Sequence, residues 1–285
     1  MPDPPARAPA SPPLIPVGLL SASVLAYEIL LMRLFAIAHW HHFAFMMISI
    51  ALLGYGASGT LLAWVPSLAV KHLRLLFLTG AAGFSLASVL CAAAARRLPF
   101  NALEIFWGPE QWGYLAGIYG LLFLPFFLAA TGIGAVLRFH NQRVAQIYAV
   151  DLGGAATGVF VAAGILFRLP PAAALVVVSA GGAAAALGAA FHWQLQGRPL
   201  LCLIAAGWLG LAGLGAAHGN GPVINAYKPL PQALRVPGAR RIYERHHPMG
   251  LFTAVASPAI PFRQAPGLSL NSTARLPEQV ALFID

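Results

Sequence analysis

The sequence predicts an all-α integral membrane helix bundle, of about seven transmembrane helices, with a short β-rich C-terminal extension. Three observations support this prediction: 59% of the 285 residues are hydrophobic, only 9% are charged, and the mean hydropathy is +0.75. Soluble domains carry about a quarter charged residues, and a globule of this size could not bury so much apolar surface. A soluble enzyme domain, a disordered chain and a disulfide scaffold are therefore excluded.

The chain divides into three predicted parts: a disordered, Pro- and Ala-rich tail (1–13), a transmembrane helical bundle (14–217) and a soluble β-rich segment (218–285). A membrane span needs about 20 mainly apolar residues. Seven runs approach or meet this length, with predicted bounds 14–38, 43–65, 73–95, 112–137, 147–167, 171–191 and 200–217. Short strand-like runs then follow between turn residues, at 250–256, 267–271 and 279–284.

The charge of the chain is basic, with 17 Lys and Arg against 8 Asp and Glu, which gives a net charge of +9. In a membrane protein such an excess indicates loops that face anionic lipid, so the lipid bilayer is the expected partner. No basic stripe with interleaved aromatic residues is present, and nucleic acid is not expected to bind. The basic residues of the short loops favour an N-terminus on the cytoplasmic side, which with seven spans places the C-terminal segment (218–285) outside. The basic residues of that C-terminal segment favour the opposite orientation.

Four polar residues in or beside the apolar runs are the candidate site: Glu28 and Arg33 in the first predicted helix, His42 before the second, and Asp151 in the fifth. Charged side chains inside a membrane are rare and are usually paired or functional. Two interpretations stay open. Glu28, Arg33 and Asp151 form an ion-pair cluster that fixes helix packing, or the four residues line a polar substrate path. In that path Glu28 faces a cation, Arg33 and Asp151 form the gate, and His42 lies at the mouth.

Other motifs give weaker signals. His39, His41 and His42 could ligate a metal or haem iron, but no matching Cys or carboxylate ligands accompany them, so no metal site is predicted. The G-x-G-x-x-G pattern at 54–59 lies inside an apolar run rather than after a strand, and with the Gly154/Gly158 pair it predicts close helix packing. No nucleophile, metalloprotease or phosphate-loop motif is present, and no catalytic residue is assigned.

Several blocks of the sequence resemble membrane-bound spermidine-synthase-like proteins. They are Tyr27, Glu28 and Arg33 within YEILLMR (27–33), WHHFAF (40–45), ISIALLGYGASG (48–59), IYAVDLGGAATG (147–158), YKPLPQAL (227–234), GLFTAV (250–255), APGLSL (265–270) and LFID (282–285). The resemblance implies a multi-helix membrane part joined to a soluble aminopropyltransferase-like domain that uses S-adenosylmethionine or its decarboxylated form. The cofactor-binding Rossmann part of that domain would follow Asp285, so no cofactor is expected in this chain.

The expected function is the membrane domain of a spermidine-synthase-like protein, located in a bacterial inner membrane. It would anchor or feed a catalytic domain that is missing from this chain and is encoded downstream or separately. The end of the sequence on a strand-like run predicts such a continuation. One alternative is a stand-alone membrane transporter of small molecules such as polyamines. Another is a His-ligated redox or haem protein.

Overall fold

Six long helices dominate the computed structural model, which describes residues 11–40, 42–194, 207, 224–257, 269, 271, 273 and 280–285. Each helix is long and apolar enough to cross a bilayer, which is the architecture of an integral membrane protein. Their bounds are α1 Leu14–Ala38, α2 His42–Trp64, α3 Pro66–Ala95, α4 Glu110–Phe139, α5 Val144–Leu166 and α6 Pro171–His192.

These six helices match six of the predicted spans, and five of them do so within three residues at each end. The exception is α3, which begins at Pro66 rather than at residue 73. Proline is well tolerated in the first turn of a helix, and a kink at His72 (φ −125°, ψ 26°) separates this added turn from the rest of α3. The seventh predicted span, 200–217, lies outside the described residues except for Gly207, as do residues 1–10 of the predicted tail.

Helix α1 lies at the centre of the bundle. It closes a ring with α6, α3, α4 and α2, in that order, and α5 packs on its outer side. The ring of Tyr27 is fully buried inside this arrangement. Its centroid lies 5.7 Å from that of Phe84 in α3, edge to face, and 5.3 Å from that of Phe126 in α4. Aromatic pairs of this geometry join three helices at one point.

Small residues let the helix backbones touch. A Cβ atom on Gly154 would lie 2.3 Å from the carbonyl oxygen of Gly18, and one on Gly158 would lie 2.2 Å from that of Ala22. Helices α1 and α5 therefore run parallel in direct backbone contact. Close van der Waals packing matters here because lipid supplies no hydrophobic driving force between helices. The predicted packing role is confirmed for this pair and for Gly54, whose added Cβ would lie 2.6 Å from that of Phe126. It is wrong for Gly56 and Gly59, where an added Cβ would meet no described atom within 4 Å.

The two ends of the bundle carry different parts of the chain. At the end where α1 begins, His192 at the close of α6 is hydrogen-bonded to the carbonyl of Ser11 at 2.8 Å. At the opposite end, which we call the sheet end, the N–H of Asn225 donates to the carbonyl of Ala38 at 2.8 Å. The described chain therefore leaves the bundle at one end and reappears at the other.

A three-stranded antiparallel sheet lies at the sheet end, after the short helix α7 (Pro229–Leu234). Its strands follow the order β1 (Arg240–His247), β2 (Gly250–Ala256) and β3 (Ala281–Ile284). Alternate residues of β2, namely Leu251, Thr253 and Val255, are fully buried, and β2 contacts both α1 and α7.

The predicted strand at 250–256 is confirmed, and the one at 279–284 is shortened to β3. Most of the predicted strand at 267–271 falls outside the described residues. Strand β1 was not predicted, because six of its eight residues are Arg, Glu or His and it lacks the apolar alternation of a half-buried strand.

The glycine contact between α1 and α5 predicts a position-specific loss of stability. We expect Gly158→Ala to lower the free energy of unfolding by about 1–3 kcal/mol, because the new methyl group collides with backbone rather than with a movable side chain. The measurement is thermal or denaturant unfolding of the purified protein in detergent.

Gly153→Ala is the matched control, since a Cβ atom at Gly153 of the same helix meets nothing within 4 Å. It should leave the stability unchanged or raise it slightly, because alanine is the better helix former. Equal losses for the two variants would contradict the close backbone contact.

Candidate functional site

The C-terminal end of α1 is the point where the membrane bundle meets the sheet. The last four carbonyl groups of a helix lack partners within the helix. In α1 every one of them is satisfied: that of Phe35 accepts from the N–H of His39 at 2.8 Å, and that of Ala38 accepts from the N–H of Asn225. The carbonyls of Ala36 and Ile37 accept from the ammonium group of Lys228, each at 2.9 Å.

The ammonium group of Lys228 makes three hydrogen bonds and thereby uses all of its donors. The third goes to Oδ1 of Asp285 at 2.9 Å, in an ion pair whose side chains are only 7% and 9% exposed. A positive charge at a helix C-terminus is favourable because the helix dipole is negative there. Lys228 therefore joins α1 to the residue that follows β3.

Asp285 is also part of the sheet hydrogen bonding. Its N–H donates to the carbonyl of Leu251 at 3.1 Å, and its carbonyl accepts from the N–H of Leu251 at 2.7 Å. Oδ2 of Asp285 is buried without a hydrogen-bond partner. The carboxylate thus depends on Lys228 for its charge compensation, and we call the group formed by Lys228, Asp285 and the end of α1 the junction.

The loop between α3 and α4 extends the junction. The side chain of Asn225 donates to Oδ1 of Asn101 at 3.4 Å, and the hydroxyl of Tyr227 donates to Oε1 of Glu104 at 3.3 Å. Glu104 also accepts from the side chain of Asn101 at 2.6 Å and from that of Gln111 at 3.4 Å. The segment before α7 is therefore held by two separate parts of the membrane bundle.

Arg33 belongs to the junction rather than to an ion-pair cluster. Its guanidinium donates to the carbonyl of Pro248, in the turn between β1 and β2. Among the described residues the ion pairs are Lys228–Asp285 and Arg241–Glu244. The predicted cluster of Glu28, Arg33 and Asp151 is therefore wrong as a set of salt bridges, because Arg33 lies toward the sheet end and finds a carbonyl there.

The two acidic residues of the predicted site lie deeper in the bundle. Oδ1 of Asp151 accepts a hydrogen bond from the hydroxyl of Ser21. Glu28 is partly buried on α1 and lies two helical turns beyond Ser21, on the same face of that helix. Glu28 and Asp151 thus lie on the side of α1 that faces α5. Two carboxylates without a basic partner among the described residues suit a cation.

The histidines at the start of α2 are not arranged as a metal site in the described structure. His42 is exposed and its ring lies 5.5 Å from that of Phe43, while His41 lies outside the described residues. Over the described ranges no three His, Cys, Asp or Glu side chains converge as metal ligands do. The placement of His42 at the sheet end of the bundle, remote from Ser21 and Asp151, separates it from the acidic pair.

His39 lies in an aromatic cage beside Lys228. Its ring centroid lies 5.5–5.8 Å from those of Phe35, Phe43 and Phe100. Burial, together with the nearby charge of Lys228, lowers the pKa of His39 from its ordinary 6.5 to about 4. Its Nδ1 is buried without a hydrogen-bond partner. At neutral pH the imidazole of His39 is therefore neutral beside the ammonium group of Lys228.

The predicted site did not include Lys228, Asp285 or Asn225. Lys228 and Asp285 both occur in the blocks that resemble spermidine-synthase-like proteins. Each is a single charged residue, however, and forms no motif with neighbouring polar residues that would mark it as part of a site. The signal available in the sequence was the isolation of Asp285 after four apolar residues, ALFI. The pairing itself becomes visible only in three dimensions.

Comparisons of the chain with protein-family models, with curated proteins and with solved structures gave no match.

The junction predicts that Lys228→Met is strongly destabilising. Removing one partner of a buried ion pair costs about 3–5 kcal/mol, because the remaining charge is left uncompensated. We expect a matching fall in the unfolding free energy in detergent, with faster proteolysis of the tail after α7. Adding Asp285→Asn to Lys228→Met should recover part of the loss.

Arg241→Met is the control for this prediction, because Arg241 pairs with Glu244 at the surface, with 45% of its side chain exposed. Exposed pairs contribute about 0–1 kcal/mol. If Lys228→Met and Arg241→Met lowered the unfolding free energy equally, the junction would not be the main contact that stabilises the sheet against the membrane bundle.

His39 predicts a dependence of stability on pH. Its pKa is lower in the folded protein than in the unfolded chain, so between pH 6.5 and about 4 only the unfolded chain binds the proton. Its contribution to stability is complete above pH 6.5 and falls by about 3 kcal/mol as the pH drops through this window.

His39→Phe should remove that part of the pH dependence, because phenylalanine fits the aromatic cage and does not titrate. The measurement is the difference between the unfolding midpoints of the wild-type protein and the variant over this pH range. Parallel pH profiles for the two proteins would mean that folding does not change the pKa of His39, which would contradict its burial as a neutral group.

Proposed function

We propose that the bundle is the membrane anchor of a spermidine-synthase-like protein, and that the sheet begins the soluble domain which it holds at the membrane. The location proposed for it is a bacterial inner membrane. The observation that carries the proposal is the bonding of Lys228 to both the end of α1 and Asp285. These hydrogen bonds at the junction would give a soluble domain a fixed orientation relative to the bilayer.

The blocks that resemble this family support the proposal by their positions. Lys228 comes from the block at 227–234 and Asp285 from the block at 282–285, and these two form the buried ion pair. Arg33, from the block at 27–33, donates a hydrogen bond to the turn before β2. Strand β2 in turn contains the block at 250–255. Four blocks that are far apart in the sequence therefore meet at one junction.

The described residues do not fit the S-adenosyl cofactor of this family. Their sheet is antiparallel and three-stranded, whereas such a cofactor is bound beyond the carboxyl ends of parallel strands, beside a glycine-rich turn. No described residue is therefore assigned to the cofactor, to catalysis or to a proton transfer. The contribution proposed for this chain is attachment and orientation, with the chemistry supplied by a downstream or separate domain.

The test is an assay of membranes from cells in which the native gene is intact, deleted or replaced by variants. We expect transfer of an aminopropyl group from decarboxylated S-adenosylmethionine to putrescine to sediment with the membranes and to vanish on deletion. Lys228→Met should lower the membrane-bound activity several-fold, whereas Arg241→Met should leave it unchanged. Transfer activity that is indifferent to the gene would refute the proposal.

A second candidate, a polyamine transporter, is favoured by one specific observation. Glu28 and Asp151 lie within the spans, on the side of α1 that faces α5, and have no salt-bridge partner among the described residues. Acidic side chains in a membrane are typical of ion and substrate paths. A polyamine carries several positive charges, which two carboxylates on one side of α1 could bind in succession.

Uptake of labelled putrescine into vesicles that contain only this chain separates the two candidates. An anchor gives no uptake above that of empty vesicles. A transporter gives uptake that Glu28→Gln and Asp151→Asn each reduce at least tenfold, whereas Glu110→Gln, at the exposed start of α4, leaves it unchanged.

A further inference from the structure

The turn between β1 and β2 lies beside the last part of a membrane span. Arg33, which donates to the carbonyl of Pro248, lies five residues before the end of α1 at Ala38. At a rise of 1.5 Å per residue the backbone of Arg33 lies about 7.5 Å before the end of the helix, and its long side chain reaches from there to the turn. The turn itself is closed by a hydrogen bond from the N–H of Met249 to Nδ1 of His247, at 3.1 Å. The turn therefore lies close to the end of a span, where the lipid headgroups of a bilayer begin.

The same turn contacts α5, which is the least buried of the six helices. The ring of His247 packs edge to face on that of Phe167, which follows the last residue of α5, with the centroids 5.0 Å apart. Phe167 is 56% exposed, and Arg168 beside it is also exposed. Among the described elements α5 packs chiefly on α1, and it exposes large apolar side chains such as Tyr148, Leu152 and Phe160. The turn is thus placed where α5 meets the surface of the bilayer.

The exposed side chains around the turn are apolar or basic. Met249 at its tip is 73% exposed. Arg245 is opposite Phe252 in the β1–β2 register, and both lie on the same face as His247, since side chains alternate between the faces of a sheet. The ring of Phe252 lies 6.0 Å from that of His247. The nearest acidic residue of β1, Glu244, points to the opposite face and pairs with Arg241.

We propose that this turn is a binding surface for the anionic phospholipids of the bilayer that contains the bundle. Met249 and Phe167 lie among the first methylene groups of the acyl chains, and Arg168 and Arg245 bind the headgroup phosphate. Long basic side chains above an apolar tip are suited to this interface, because their stems stay in apolar surroundings while their charges reach the phosphates. This lipid contact adds to the intramolecular contacts that hold the sheet to the bundle at the junction.

The depth of the turn can be measured with a fluorescent label at residue 249. Cys91 and Cys202 are replaced by alanine, Met249→Cys is labelled with bimane, and the chain is placed in vesicles whose acyl chains carry bromine. We expect strong quenching at this position. A label at Arg240→Cys, at the far end of β1 and roughly 23 Å away along the strand, should not be quenched. An unquenched label at residue 249 would overturn the proposal.

The preference for anionic lipid is measured with the same labelled protein. Brominated phosphatidylglycerol, diluted into phosphatidylcholine, should quench the label more than brominated phosphatidylcholine at the same dilution. The double variant Arg168→Gln/Arg245→Gln should lower this relative affinity roughly 25-fold, since each of the two basic residues at an anionic surface contributes about a factor of five. Arg240→Gln, an exposed arginine on the same strand, is the matched control and should have little effect.

Two results would contradict the lipid assignment directly. If Arg240→Gln alone lowered the relative affinity about fivefold, the same factor per charge as in the double variant, only the total charge would matter. Energy transfer between labels at residue 249 on different molecules, without quenching by brominated lipid, would mean that a second copy of the chain covers the turn. If the double variant fails to fold, the comparison of the two lipids with the native arginines still decides the question.

Discussion

The ammonium group of Lys228 is the contact on which the arrangement of the molecule depends. A membrane helix that ends under a soluble segment leaves carbonyl groups that need donors. Lys228 supplies two of them and uses its third hydrogen bond to hold Asp285. The bond has consequences on both sides, because α1 is the central helix of the bundle and Asp285 is hydrogen-bonded to the middle strand of the sheet.

The surroundings of that contact explain why it tolerates burial. A lone buried lysine would be strongly disfavoured, since removing a charge from water costs several kcal/mol. Here two helix carbonyls at the negative end of a dipole and one carboxylate share the charge. His39 lies close enough for the positive charge of Lys228 to act on it and remains neutral, which avoids a second cation in the same space.

The interior of the bundle follows a different rule from the junction. Its helices are held by backbone contact at glycines and by interlocking aromatic rings, with Tyr27 at the centre. Polar contacts occur on both sides of this core: the hydroxyl of Ser21 in α1 bonds to Asp151 in α5, and that of Ser85 in α3 donates to the carbonyl of Ser179 in α6 at 2.7 Å. Arg33 could have neutralised a carboxylate but instead supports the sheet. This division separates the part of the molecule that binds the tail from the part that could accept a cation.

The sequence by itself determined the class of the protein and the bounds of most of its helices and of strand β2. Helix α1 at 14–38 and strand β2 at 250–256 follow from the lengths of apolar runs and from the turn residues around them, and both are local properties. The glycines at 54, 154 and 158 were also readable as packing positions, since small residues inside membrane helices have few other uses. Strand β1 was missed because its exposed, charged residues carry no such pattern.

Only the tertiary structure decided which polar groups meet. Glu28 and Arg33 lie five residues apart on α1, which shows that they do not pair well along the helix but not where each side chain finds its partner. Arg33 binds a carbonyl 215 positions further along the chain, and Lys228 lies 192 positions from Ala36. Such contacts depend on how whole helices and strands approach one another. Nothing in the local pattern of either segment specifies that approach.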